Sequence, residues 1–71
     1  MSMEKQRSFR MTKIREQREF LKLTQSKVAI LCGVSLYAYQ QWETGVGKPN
    51  EKNRIKVIAV LQLPKDYFEE L

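Results

Sequence analysis

The apolar residues of this chain fall in short runs, each set behind a capping residue and ahead of a stop signal. From Phe9 to about Leu21, Lys, Arg, Glu and Gln dominate, with apolar residues at Met11, Ile14, Phe20 and Leu21. These are strong helix formers, and the charged residues at 15, 16, 18 and 19 predict a solvated outer face. Thr24 is a good N-cap for a second helix, TQSKVAILC, and Gly33 is placed to end it. Ser35 then caps a third helix, Leu36 to Thr44, which Gly45 stops. Asn50 caps a fourth, which runs through IKVIAVL to about Leu61. Pro64 suits the first turn of a short last helix, PKDYFEEL. VAIL and VIAVL have strand propensity, but their caps and stops are spaced at helical length. The pattern predicts an all-α bundle of about five short helices. Residues 1–8 read as a flexible basic leader, and residues 9–71 as one domain.

The third helix has two unlike sides. At about 100° per residue, Ser35, Ala38, Tyr39 and Trp42 gather on one side. Leu36, Tyr37, Gln40, Gln41 and Thr44 gather on the other. The aromatics of the first side are core candidates, and a buried Tyr39 hydroxyl then needs a hydrogen-bond partner. The second side has no reason to be buried, since its two amides would need partners there. It offers amide donors and acceptors beside a tyrosine. That is base-edge chemistry, because a Gln amide can pair bidentately with adenine in the major groove. Helices 24–32 and 35–44 are joined by a tight turn at Gly33-Val34. Two short helices with a Gly-containing turn describe a helix-turn-helix. In such a motif the second helix enters the major groove.

Composition narrows the field further. The 71 residues allow one small domain, with a net charge of +5 and a pI of about 9.6. That balance favours an anionic partner, nucleic acid before membrane. Cys32 is the only cysteine and there is no histidine. No intrachain disulfide or cysteine metal cluster can form, and the commonest general base is missing. No phosphate-cradling Gly-rich loop or nucleophile–base pair is present, so neither an enzyme nor a cofactor is expected. The N-terminus is polar and no stretch approaches a membrane span. A cytoplasmic protein is therefore the expectation.

The run LTQSKVAILCGVS, followed by WETG, KP and IKVIAVL, resembles the Cro/C1-type helix-turn-helix domain of phage repressors and bacterial regulators. The resemblance extends from Ile14 to about Phe68. It implies a lambda-repressor-like fold, with the helix-turn-helix at about 24–44. It also implies a sequence-specific, double-stranded-DNA-binding transcriptional regulator, a small repressor acting as a homodimer on a two-fold site. Base reading then falls to Leu36, Tyr37, Gln40 and Gln41. Gln25, Ser35, Lys48 and Asn50 would contact phosphates, Gln25 also bracing the recognition helix. Arg18 and Glu43 would form a structural ion pair between the first and third helices.

Departures from the family pattern carry their own expectations. Leu36 replaces a polar reader, so a thymine methyl is its expected contact. Lys22 and Gln62 stand where glycine usually ends a helix, each costing up to ~1 kcal/mol if left-handed. Glu51 and Arg54 occupy usually apolar positions at the start of the fourth helix. Ile30 and Leu31, with Phe20 and Leu21, would form an exposed apolar patch, a surface for a protein partner or dimer. That patch motivates the competing reading, an antitoxin-like protein-interaction module. A recombination or excision control factor that bends DNA is a weaker third. Cys32 matches a core position and reads as a buried, inert thiol. Lys5, Arg7 and Arg10 near the N-terminus are expected to form a disordered tail that adds non-specific attraction for DNA, the alternative being an arm that reaches along the duplex.

Overall fold

The computed structural model describes residues 13–70, with side chains through residue 68. The described chain is helical throughout, with four α-helices and one closing 3-10 turn. Helix α1 covers residues 13–20, α2 Gln25–Cys32, α3 Leu36–Thr44 and α4 Glu51–Leu61. The leader, and the expected start of the first helix at Phe9, lie outside the described residues.

The caps sit where the sequence places them. Thr24 Oγ1 accepts from the Lys27 N–H at 3.0 Å, Ser35 Oγ from Ala38 at 3.1 Å, and Asn50 Oδ1 from Asn53 at 2.9 Å. Each satisfies one orphan amide of a first turn. At the other ends all four helices close in the same way. The amides of Leu23, Val34, Val46 and Leu63 donate back to the carbonyls of Arg18, Ala29, Gln41 and Ile58, at 3.0–3.1 Å. This closure requires a left-handed residue just past the helix. Gly33 and Gly45 supply it for α2 and α3 at φ 72° and 82°. Lys22 and Gln62 supply it for α1 and α4 at φ 61° and 57°. The two non-glycine positions therefore hold the left-handed backbone at which the family pattern usually has glycine.

The core is drawn from every element. Ile14, Val28, Ala29, Cys32, Tyr39, Trp42, Val57, Leu61 and Phe68 are buried together, and α2 packs against both α3 and α4. Tyr39 and Trp42 meet edge to face at 5.9 Å between ring centroids, a favoured aromatic geometry. Cys32 is a fully buried free thiol, and burial pushes its pKa up.

Three expectations are corrected. The last segment is not an α-helix opening at Pro64. Residues 65–66 form a turn and Tyr67–Glu70 a single 3-10 turn, closed by the Tyr67 N–H on the Pro64 carbonyl at 3.0 Å. So short a piece gains little from α-type bonds, and one turn suffices to bury Phe68. Leu21 does not join an exposed patch, because it packs partly against the core. Ser35, grouped with the packing side of α3, is exposed, its hydroxyl spent on the cap. The polar start of α4 is accommodated by Arg54, whose Nε donates to the Pro49 carbonyl at 3.2 Å while its guanidinium lies 5.9 Å over the Phe68 ring.

Candidate nucleic-acid interface

Helix α3 is held by its inward side and leaves its outward side open. Tyr39 and Trp42 anchor it in the core, and Glu43 is buried beside them. Leu36 is exposed, and Tyr37 is 71% exposed. The turn that sets α3 against α2 is short because Gly33 takes a conformation most residues avoid.

Burying Glu43 requires its charge to be met. Arg18 of α1 donates from Nε to Glu43 Oε2 at 2.5 Å and from Nη2 to Oε1 at 3.3 Å. Its Nη1 donates to the Leu23 carbonyl at 2.9 Å, so one guanidinium ties α1, its own closing turn and α3 together. The Tyr39 hydroxyl donates to Glu43 Oε2 at 2.5 Å, which supplies the partner its burial demands. Burial alone would raise the Glu43 pKa, but hydrogen bonds from Arg18, Tyr39 and Gln25 outweigh it and hold the carboxyl below its ordinary value. The bond to Glu43 raises the Arg18 pKa against the opposing effect of burial. Burial, then the bond to Glu43, pushes the Tyr39 hydroxyl well up.

The cluster continues towards the surface. Gln25, first residue of α2, donates from Nε2 to Glu43 Oε1 at 3.0 Å. Gln40 of α3 donates from Nε2 to Gln25 Oε1 at 3.1 Å. Gln25 and Gln40 are both half-buried, which differs from the open position expected for Gln40. Gln41 is also half-buried, against the same expectation, and its Oε1 is shielded from solvent with no hydrogen-bond partner. It lines a cleft between α1 and α3, with Arg15 and Glu19 on one wall and Tyr37 on the other. Arg15 and Glu19, paired at 3.4 Å, stay on the solvated face expected for residues 15, 16, 18 and 19, whereas Arg18 departs from it and is buried against Glu43; the packing of α1 beside α3 brings Arg15 and Glu19 to the cleft.

The remaining candidates take their places around this helix. Ser35 caps α3 and Asn50 caps α4, both exposed. Lys48 is exposed in the loop between those helices. Phe20 and Ile30 are 76% and 72% exposed, and Leu31 is about half exposed. Among the described residues no group of acidic, Cys or His side chains gathers to hold a metal, and no helix is long and apolar enough to cross a membrane.

Comparison with known proteins places this arrangement. A helix-turn-helix family model matches residues 14–68. The chain is 36% identical over 56 residues to Repressor protein C2 of Salmonella phage P22, across 79% of this chain and 26% of that protein. It is 32% identical over 54 residues to the cryptic phage CTXphi transcriptional repressor RstR of Vibrio cholerae, across 76% of this chain and 48% of that protein. The chain thus spans about a quarter and about half of these two relatives. No solved structure matches it.

Proposed function

Because the chain belongs to the Cro/C1-type helix-turn-helix family, we propose that it binds double-stranded DNA sequence-specifically and acts in the cytoplasm as a small transcriptional repressor. The observation that carries this is α3 itself. It is anchored through Tyr39, Trp42 and Glu43, while Leu36 and Tyr37 project outward and Gln40 and Gln41 on the same side of the helical period are half-buried. In the proposed complex this outward side enters the major groove and reads base edges. Leu36 meets a thymine methyl. Gln25, Ser35, Lys48 and Asn50 hold phosphates and fix the register. The Arg18–Glu43 pair keeps α3 at its angle to α1 and touches no DNA. One recognition helix spans few base pairs, so the reading includes a homodimer on a two-fold site, with half-sites about one helical turn apart.

The test is selection from a random duplex pool at near-physiological salt. Enrichment of a two-fold motif is the expected result. Recovery of DNA without enrichment would mean that the +5 charge binds unselectively, and would sink the proposal. One observation favours a second reading. Phe20, Ile30 and Leu31 are exposed apolar side chains on α1 and α2, suited to a protein partner. A monomer in solution that retains no DNA would support that alternative.

A further inference from the structure

The hydrogen bonds from Glu43 to the surface can run in only one direction. The ionised Glu43 carboxylate has lone pairs and no hydrogen. Gln25 can meet its Oε1 only through Nε2, as it does at 3.0 Å. That turns the Gln25 carbonyl oxygen to the opposite side. This oxygen also has no hydrogen, so Gln40 can meet it only through its own Nε2, at 3.1 Å. The order follows from donor and acceptor chemistry, whichever way an isolated amide would turn. Arg18 and Tyr39 occupy the other positions around the carboxylate, which prevents Glu43 from swinging away to release Gln25.

Gln40 is left with one N–H and its carbonyl oxygen. Adenine presents an acceptor, N7, and a donor, the N6 amino group, in the major groove. Guanine presents two acceptors, N7 and O6. An unconstrained glutamine has two N–H groups to offer; Gln40, with one committed, can match adenine fully and guanine only in part. We propose that Glu43 and Gln25 are positioning residues that make Gln40 an adenine reader and deny it to guanine. The inference rests on the DNA-binding reading above. It assigns to a buried carboxylate, which touches no base, a share of the sequence preference.

The test compares duplexes that differ at a single base pair. Gln40→Ala first locates the position, as the one where the wild-type preference collapses. Two Gln25 variants are then measured there. Gln25→Met removes both bonds. Gln25→Lys keeps a donor towards Glu43, so the buried charge stays paired, but offers Gln40 no acceptor. Both are expected to cut the preference for adenine over guanine at that position by about tenfold, leaving preferences at other positions unchanged. A loss of phosphate contact, or a gain of charge at Gln25→Lys, changes affinity for every sequence alike and does not imitate this result. An unchanged adenine-to-guanine ratio in Gln25→Lys would overturn the inference. So would a wild-type motif that Gln40→Ala alters nowhere, with the DNA-binding reading left intact. A wild-type protein that enriches no motif would remove both.

Discussion

The two sides of α3 differ in what fixes them. On the inward side Tyr39 and Glu43 are held by bonds of 2.5–3.3 Å to a cluster that includes Arg18 and Gln25. Each polar group there has a partner because burial without one costs ~1–3 kcal/mol or more. On the outward side Tyr37 stands in solvent, and Gln41 carries a shielded oxygen that is left unpaired. The inward side is satisfied within the chain, whereas the outward side holds hydrogen-bonding capacity that the chain itself does not use. Substitutions on the two sides should therefore act on different quantities, stability inward and DNA preference outward.

Glu43→Ala should give the largest effect. It leaves the Arg18 guanidinium and the Tyr39 hydroxyl without their shared acceptor, and should cost ~3–5 kcal/mol, read from urea denaturation. A loss below ~1 kcal/mol, as for a surface pair, would break the comparison. Acid should remove the same contribution. The Glu43 carboxyl lies below its ordinary value of 4.5 in the folded chain, so its stabilising effect is complete above that pH. The effect fades as pH falls towards and through the lowered folded-state value. The difference in stability between wild type and Glu43→Ala, followed from neutral pH downward, should shrink over that window. A difference independent of pH would show that the carboxyl's charge is not what stabilises the inward side.

Gln41→Ala should sharpen the contrast from the other side. Sequence preference at one base position should fall by ~1–3 kcal/mol, while stability should hold or rise, because deleting a shielded oxygen that has no partner removes a cost of burial. A matching loss of stability with an unchanged ranking of sites would reassign Gln41 to the inward side. The smallest effect concerns the helices that flank this pair. Lys22→Gly should stabilise the chain by up to ~1 kcal/mol, since φ 61° is strained for a residue with a Cβ. Thermal unfolding would detect it, and a lowered midpoint would show that the lysine side chain contributes more than its backbone costs.

Helix boundaries were the most legible part of the sequence. Thr24, Ser35 and Asn50 cap, and Gly33 and Gly45 terminate, because both signals act over three or four residues and depend on little else. The strain at Lys22 and Gln62 was visible only through the family resemblance, which has glycine at those positions. The last segment was misread because an isolated turn has no local signal strong enough to separate 3-10 from α; the burial of Phe68 decided it. The division of α3 was legible from its period, which put Tyr39 and Trp42 inward and Tyr37 outward. Leu21 was misplaced for the converse reason, since which exposed-looking residue folds back depends on neighbours far along the chain.

The sequence by itself determined where α2, α3 and α4 start and stop and that Tyr39 and Trp42 of α3 face the core, because capping, turn chemistry and helical period are local. Only the tertiary structure decided how the polar residues connect. Gln40 and Gln25 lie fifteen positions apart and Gln25 and Glu43 eighteen, while the Arg18–Glu43 pair, twenty-five apart, was implied by the family resemblance alone. No periodicity links such pairs. Their hydrogen bonds exist because α1, α2 and α3 pack around one core, and a buried carboxylate must collect every donor that this packing brings within reach.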